Sequence, residues 1–216
     1  MTADRTPVLD RDDARRLLAA VAALLYERRH TELQGGNVSL RMGDEVVITP
    51  TRASDRWGWR LAPEETLVMD LDGATLAGDP TKVSRETTLH LWLYRDFPEV
   101  GSVFHLHQAE ALCAVAAGRW PAGVVTRSAE PYGAPLVVLE SGLPAQTEAH
   151  DGRVAALLAQ VPRADGAISM SPGHGLVSVA RDVETNIRTV EVFRQRLRLE
   201  RLRARLRSAA AAGGAK

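Results

Sequence analysis

Apolar residues recur at helical spacing in several parts of the chain. The first of these parts, residues 10–30, begins with aspartates and ends with basic residues, an order that favours a helix. Its apolar stripe consists of Leu17, Leu18, Val21, Leu24 and Leu25. Further helices are predicted over 84–97, over about ten residues from Gln108, over 150–161 and over 182–208.

Short apolar runs between turn residues predict β-strands. Segments 35–50 and 65–79 each contain two such runs, around Met42-Gly43-Asp44 and around Asp72-Gly73, and therefore predict hairpins. Strands are also predicted over 100–106, over 134–141 and twice within 166–180, around a Pro-Gly-His-Gly turn. Because helices alternate with tight hairpins, we expect a largely antiparallel or mixed sheet with helices packed on it.

The pattern is not divided by a repeat or an internal linker. The 216 residues therefore predict a single domain over 1–216, with its core over about 11–196 and a flexible tail over about 209–216. The last helix is very basic, but Glu191 and Glu200 interrupt it and no aromatic platform accompanies it. This favours a solvated or subunit-contacting helix over a nucleic-acid-binding one.

Composition excludes several classes of protein. The 27 basic and 27 acidic residues balance, so no overall polyanion-binding surface is indicated. A single cysteine, Cys113, excludes an intramolecular disulfide framework and fits a reducing compartment; its Ala-rich surroundings predict a buried, inert thiol. Because no apolar run resembles a signal peptide or a membrane span, we expect a cytoplasmic protein with neither a membrane nor a nucleic acid as partner.

Two histidines stand at the end of the predicted strand 100–106. Side chains alternate across a strand, so His105 and His107 lie on one face and Leu106 on the other. Such a pair is either two satisfied or exposed imidazoles or two ligands of one metal ion. A catalytic zinc site usually has three protein ligands, and His174, which stands between two glycines in a turn, is the best third candidate.

The remaining candidates are less distinctive. His30 fits a partner of the first helix dipole, and His150 fits a surface position. His90 follows Glu86 by one helical turn and belongs either to the core or to the surroundings of the site. Glu86 is either a first-turn glutamate favoured by the helix dipole or the carboxylate that completes the chemistry.

A set of motifs then identifies a resemblance. The segments GGNVSLR, VVITPTR, MDLDG, KVSRETTLHLWLYRDFPEVGSVFHLH and SPGHGLVSV occur in this order and together resemble the class II aldolase/adducin family over about residues 11–196. That family includes sugar-phosphate aldolases, epimerases and dehydratases. The resemblance implies a three-layer α/β/α sandwich with a central, mainly antiparallel β-sheet, commonly assembled as a homotetramer.

The resemblance also implies roles for individual residues. His105, His107 and His174 would bind a divalent ion, usually Zn²⁺, with Mn²⁺, Co²⁺ or Fe²⁺ as alternatives. Glu86 matches the family's acid/base, and Asn37 matches the asparagine of its substrate-binding loop.

The implied activity is that of a metal-dependent lyase. It makes or breaks a carbon–carbon bond beside the carbonyl of a small ketose-like substrate, through an enediolate that the metal stabilises. Glu86 moves the proton that this carbanion gains or loses. The same site also suits a dehydratase or a 4-epimerase of a sugar phosphate. A non-catalytic adducin-like module is disfavoured, because such heads lose the metal histidines.

The chain departs from the family pattern in its substrate loops. Where relatives that use sugar phosphates carry a Ser/Thr-Gly pair and two small hydroxyl residues, this chain has Thr51-Arg52 and Ser84-Arg85. These four residues are the candidate contacts to an anionic group of the substrate, with a mere rim position as the alternative for the arginines.

The family's catalytic tyrosine also has no clear counterpart in this chain. Tyr132 and Glu130 are the nearby candidates for a proton-transfer group, and a simple turn before Pro131 is the alternative.

Overall fold

The computed structural model describes residues 9–32, 35–119, 123–125, 136–138, 166–171 and 175–213. Its first helix, α1 (Arg11–Glu27), begins where the Asp10 side chain accepts a hydrogen bond of 2.8 Å from the backbone N–H of Asp13. Leu18, Val21 and Leu25 of the predicted stripe are buried. Leu17 and Leu24 lie half-buried beside them.

The described residues form nine strands and three further helices. The strands are β1 (Asn37–Met42), β2 (Glu45–Ile48), β3 (Leu67–Asp70), β4 (Thr75–Ala77), β5 (Ser102–Leu106), β6 (Gly123–Val125), β7 (Leu136–Val138), β8 (Gly166–Ser171) and β9 (Gly175–Ala180). The helices are α2 (Thr87–Asp96), α3 (Ala109–Ala116) and α4 (Val183–Gly213). Short 3₁₀ turns, which the sequence pattern did not predict, occupy Ala53–Asp55, Trp57–Trp59, Pro63–Glu65 and Pro80–Lys82.

These strands form one sheet in the order β4-β3-β2-β1-β5-β9-β8-β7-β6. All neighbouring pairs are antiparallel except β7 and β8, which run parallel. β5 lies at the centre, between β1 and β9, with His105 opposite Asn37 on one side and opposite Val177 on the other. The predicted hairpins at 35–50 and 65–79 are confirmed as β1–β2 and β3–β4.

Two hydrophobic cores lie on the two faces of this sheet. One core joins the sheet to α1, α3 and α4 and includes Leu18, Leu25, Val38, Phe104, Leu106 and Phe193. The other joins the sheet to α2 and includes Ile48, Leu67, Met69, Leu93, Tyr94 and Val103. The alternation of Val103, Phe104 and Leu106 between the cores follows from the period of a strand. The expected three-layer α/β/α sandwich with a mainly antiparallel sheet is thereby confirmed.

Some predicted boundaries differ from the structure. Helix α2 begins at Thr87, because residues 85 and 86 form a turn, and not at 84. Helix α4 continues to Gly213 and so includes most of the segment predicted as a tail. The predicted helix over 150–161 lies outside the described residues. No helix among the residues that the structure describes is long and apolar enough to cross a membrane.

Two side chains have surroundings that the sequence did not predict. The prediction of a buried thiol was wrong, since Cys113 is exposed on α3. Cys113 follows the buried Ala111 by two residues, about 200° further around the helix, so it lies on the side of α3 away from the core. His30 is fully buried, and its Nδ1 lies 2.9 Å from Gln108 Nε2 while its Nε2 lies 3.3 Å from Glu191 Oε1. The ring is therefore a core group, and burial lowers its pKa, which disfavours the charged form that the predicted interaction with the helix dipole requires.

Candidate active site

The imidazoles of His105 and His107 converge at the end of β5. Their Nε2 atoms lie 3.2 Å apart, and the two rings are nearly perpendicular, at 83°. His105 is 2% exposed and His107 is half-buried, so solvent reaches the pair from the His107 side. The space that the two rings share with the partly exposed Glu86 carboxylate is called the recess below. The expectation that both rings would lie on one face of the strand is confirmed.

One hydrogen bond orients the His105 ring. Its Nδ1 lies 3.1 Å from the carbonyl oxygen of Leu176 on β9, and a carbonyl can only accept, so Nδ1 carries the proton. In the neutral ring Nε2 therefore keeps its lone pair, and this atom faces both His107 Nε2 and Glu86 Oε1, the latter at 3.5 Å. A histidine that ligates a metal characteristically donates its other N–H to a carbonyl or carboxylate.

The spacing of these donor atoms fits a shared ion. Two nitrogens at about 2.0–2.1 Å from a tetrahedral zinc ion lie about 3.3 Å from each other. The measured Nε2–Nε2 distance of 3.2 Å agrees with that value. Within the described ranges, no group of three or more His, Cys, Asp or Glu side chains meets the criteria for a metal site, and His174 lies outside those ranges. Of the three predicted ligands, only His105 and His107 therefore lie among the described residues.

Three glycines make room for the two rings. A Cβ atom on Gly35 would lie 2.4 Å from His107 Cε1, and one on Gly175 would lie 2.9 Å from both His105 Cε1 and His107 Cδ2. A Cβ atom on Gly36 would lie 2.8 Å from the carbonyl oxygen of His105. Gly35 and Gly36 also adopt left-handed φ values of +90° and +95°. The Gly-Gly pair before Asn37 is therefore part of the site, although sequence reasoning gave it no role.

Gly35→Ala is expected to weaken zinc binding by at least about tenfold, because the new methyl group displaces the His107 ring. Zinc affinity, measured by competition with a chelating dye, tests this. Gly43→Ala is the matched control: Gly43 also has a left-handed φ, +63°, but a Cβ atom there would meet nothing within 4 Å. Equal zinc affinity in the two variants would show that Gly35 serves only the backbone.

The Glu86 carboxylate lies between α2 and β1. Glu86 immediately precedes the first residue of α2, and its carboxylate makes no capping hydrogen bond. Instead, Asn37 Nδ2 on β1 donates to Glu86 Oε2, while Glu86 Oε1 is the atom that faces His105 Nε2. The carboxylate is about one-fifth exposed, so it is anchored on one oxygen and reachable from the recess. This position supports a chemical role for Glu86 over a dipole-stabilising one.

The Asn37 side chain is almost completely enclosed by protein. It is 2% exposed, and both ends of its amide are engaged, Nδ2 with Glu86 and Oδ1 with His90 Nε2. His90 in turn approaches Ser39 Oγ at 2.6 Å, and Ser39 Oγ lies 2.8 Å from the Tyr94 hydroxyl. His90 and Tyr94 are fully buried. The sequence placed His90 only in the core or near the site and did not single out Ser39 or Tyr94.

The two loops that carry the candidate substrate contacts are hydrogen-bonded to each other. The Thr51 backbone N–H donates to the carbonyl of Lys82 at 2.7 Å, which joins the loop after β2 to the loop before α2. In the latter loop, Ser84 Oγ accepts from the Glu86 backbone N–H at 3.3 Å. On the other side, the Gly35 backbone N–H reaches Ser54 Oγ at 3.4 Å. The structure thus brings Thr51 and Ser84 into neighbouring loops.

Both arginines of these loops point to solvent. Arg85 is exposed, and the Arg52 side chain is 83% exposed, with its Nε 3.7 Å from Asp55 Oδ2. Arg52 has a φ of +59°, in the left-handed region that favours glycine. That conformation is the one expected if a glycine is the usual residue here, as the family resemblance implies. Tyr132 and Glu130 lie outside the described residues.

A family model for the class II aldolase and adducin N-terminal domain matches residues 16–200. Among curated proteins, an L-fuculose phosphate aldolase of Methanocaldococcus jannaschii is 36% identical over 83 residues, which are 38% of this chain and 42% of the relative. A 3-oxo-tetronate 4-phosphate decarboxylase of Haemophilus influenzae is 38% identical over 92 residues, 42% of this chain and 41% of the relative. A methylthioribulose-1-phosphate dehydratase of Marinobacter nauticus is 39% identical over 88 residues, 40% of each chain.

These alignments therefore span about two fifths of the length of the curated relatives. Solved structures are similar over more of the chain. An L-fuculose-1-phosphate aldolase from Thermus thermophilus has a TM-score of 0.64 at 19% identity, over 94% of this chain and 98% of that one. A structure from Klebsiella pneumoniae, described as that of a putative aldolase/epimerase/decarboxylase, has a TM-score of 0.61 at 21% identity. The match covers 88% of this chain and 89% of that one. At such identities the likeness concerns the fold alone.

Proposed function

We propose that this chain, which belongs to the class II aldolase and adducin family, is a metal-dependent lyase that cleaves or forms a carbon–carbon bond beside a carbonyl. The substrate is a small ketose-like molecule that carries an anionic group. The observation that carries the proposal is the convergence of His105 Nε2, His107 Nε2 and Glu86 Oε1 at one recess, with separations of 3.2 and 3.5 Å from His105 Nε2.

The proposed metal ligands are His105, His107 and His174. Support for the third comes from Gly175, the residue next to it in the chain, which lies against both described imidazoles. The donor set of three neutral imidazoles suits Zn²⁺, with Mn²⁺, Co²⁺ and Fe²⁺ as alternatives. Such an ion supplies Lewis-acid polarisation of the substrate carbonyl and stabilises negative charge that develops on its oxygen.

Glu86 is the proposed proton-transfer group. Its Oε1 faces the recess, so it can give a proton to, or take one from, the carbon beside the carbonyl as the bond breaks or forms. Asn37 holds the other oxygen and thereby keeps Oε1 directed into the recess. Tyr132 and Glu130 remain the candidates for a second proton donor, at the oxygen of the departing or incoming fragment.

A panel of phosphorylated and free ketoses, incubated with the zinc-loaded protein, tests the reaction. We expect release of an aldehyde from at least one ketose, detected by NMR together with any loss of water or change of configuration. The same protein stripped with a chelator should be inactive, and it should recover on reloading. Loss of water without cleavage would identify a dehydratase, and a change of configuration would identify an epimerase. A fully zinc-loaded protein that converts no ketose of the panel would contradict the proposal.

Thr51, Arg52, Ser84 and Arg85 are proposed to hold the anionic group of the substrate. Loss of one charge-assisted contact costs about 1.5–3 kcal/mol, or about 10- to 150-fold in binding. We therefore expect Arg52→Gly and Arg85→Ser to lower kcat/KM by that order without loss of metal. Arg52→Gly also removes a left-handed non-glycine residue, so it should not destabilise the fold.

Arg16→Ala serves as the control for the arginine variants, because Arg16 lies on α1 and pairs there with Asp13 at 2.6 Å. Steady-state kinetics with the substrate found in the panel provide the comparison. If both loop variants keep the kcat/KM of the unmodified protein, the arginines are rim residues and the anion lies elsewhere.

We further propose that the chain is a single domain that assembles as a cytoplasmic homotetramer. The exposed part of α4 supports the assembly, since it carries a stripe of apolar side chains at helical spacing. The stripe consists of Leu199, Leu202 and Leu206, which are 51%, 52% and 71% exposed. Arginines flank it on both sides, at 196, 198, 203 and 205. Ion pairs with Glu200 and Glu110 balance Arg196 and Arg198, which leaves Arg203 and Arg205 as the charge beside the stripe. A cyclic ring, in which this face meets a different surface of the neighbouring subunit, would keep two such basic faces apart.

Leu202→Ser is expected to shift the assembly towards smaller species, because it removes apolar area from this contact. Light scattering at micromolar concentration measures the mass. Leu76→Ser is the matched control, since Leu76 is an exposed leucine, 41%, on the distant edge strand β4. A purely monomeric unmodified protein would contradict the tetramer.

A further inference from the structure

We propose that His90, Ser39 and Tyr94 are positioning residues that act through Asn37 on Glu86. They form a hydrogen-bonded ladder between α2 and β1 whose donors all point the same way, towards the Glu86 carboxylate. This inference rests on the proposed role of Glu86 as the proton-transfer group. It assigns a function to three buried residues that do not touch the recess.

The ladder arises from matched spacings of a helix and a strand. Glu86, directly before α2, and His90 and Tyr94 on α2 follow one another at four-residue intervals, and a helix rises about 6.0 Å over four residues. Asn37 and Ser39 are two residues apart on one face of β1, and a strand rises about 6.6–6.8 Å over two residues. Because these repeats nearly agree, strand side chains alternate with helix side chains, in the order Glu86, Asn37, His90, Ser39, Tyr94.

The carboxylate sets the direction of the ladder. An ionised carboxylate only accepts, so Asn37 must present its Nδ2 to Glu86 and its Oδ1 to His90. Asn37 Oδ1 also only accepts, and so His90 Nε2 must carry the ring proton. Burial lowers the pKa of His90 to about 3, so the ring is neutral and has no second N–H. Its Nδ1 is therefore an acceptor.

The two hydroxyl groups then have only one arrangement. Ser39 must donate to His90 Nδ1, at 2.6 Å, and must accept from the Tyr94 hydroxyl, at 2.8 Å. Tyr94, Ser39 and His90 are 0% exposed, and Asn37 is 2% exposed, so water does not compete for these groups. A reversed ladder would place the Asn37 oxygen against the carboxylate. The chain of donors thus keeps the Asn37 amide from flipping and keeps Glu86 Oε1 directed at the recess.

The first test measures the tautomer of His90 by long-range ¹H–¹⁵N NMR and does not depend on any activity. We expect the proton on Nε2, with Nδ1 unprotonated, in the unmodified protein. A proton on Nδ1 would reverse the ladder and overturn the proposal. Failure of the ketose panel would instead contradict the proposed function and leave this result standing as a test of the ladder.

The second test compares two substitutions of His90. Gln places an amide N–H close to where the histidine Nε2–H lies and so can still donate to Asn37 Oδ1, whereas Leu cannot. We expect His90→Leu to lower kcat by about 10- to 100-fold with little change in KM, and His90→Gln to recover most of that loss. Ser39→Ala should lie between them, because His90 then loses the donor that fixes its tautomer.

Stability and metal content separate positioning from folding. Ser178→Ala is the control, since Ser178 is another buried hydroxyl, with a 2.5 Å hydrogen bond to Asn186 Oδ1, outside the ladder. It should lower the free energy of unfolding without changing kcat. If His90→Gln loses as much kcat as His90→Leu while folded and metal-loaded, the ladder is structural only.

Discussion

Replacement of His105, His107 or His174 by alanine should reduce bound zinc from close to one ion per chain to a small fraction. Each substitution removes one of three protein ligands, and the remaining two hold the ion far more weakly. The structure gives this expectation a specific geometry for His105 and His107, whose Nε2 atoms lie 3.2 Å apart. Elemental analysis after zinc loading and desalting provides the measurement.

A buried histidine outside the recess provides the control. His30 is fully buried against Gln108 and Glu191, so His30→Gln should affect stability but keep the metal. An unmodified protein that retains no zinc after loading would remove the basis of the proposed chemistry. Full retention by the His174 variant alone would show that the third ligand lies elsewhere in the chain.

Glu86→Gln should lower turnover by at least about 100-fold while the protein stays folded and keeps most of its metal. An amide has the size of the carboxylate but cannot take up and release a proton at neutral pH, and proton-transfer groups contribute on this scale. Single-turnover and steady-state rates with the substrate found in the panel measure the effect, and thermal unfolding verifies the fold.

Glu45→Gln is the matched control, because Glu45 pairs with Arg11 at 2.5 Å on an exposed part of the fold. It should leave turnover unchanged. Near-normal turnover in Glu86→Gln would reduce Glu86 to a residue at the start of α2, the alternative that its sequence position alone left open.

Periodicity was sufficient to predict most of the elements. The stripe of α1, the two hairpins and the strand that ends in His-x-His all depend on side-chain alternation within one segment. The placement of His105 and His107 on one face of the strand could be predicted in the same way. Boundaries were less predictable: α2 begins at Thr87 and not at 84, since the turn at residues 85 and 86 interacts with the sheet through Glu86 and Asn37.

The surroundings of single side chains could not be read from periodicity. Cys113 was predicted to be buried and is exposed, and the burial of His30 was not predicted, because whether a position is covered depends on elements far away in the chain. Gly35 and Gly175 belong to the site only because the strand order places β1 and β9 on either side of β5.

The sequence of 216 residues by itself thus determined which segments form helices or strands and which residue types the motifs contain, because both are local properties. The distance between His105 Nε2 and Glu86 Oε1, the engagement of both ends of the Asn37 amide, and the ladder behind it were decided in three dimensions. Their physical cause is the packing of α2 on β1, where a four-residue helical repeat meets a two-residue strand repeat of similar length. No single segment shows this agreement of the two repeats, because it arises between residues that are far apart in the chain, such as Asn37 and Glu86, which are 49 positions apart.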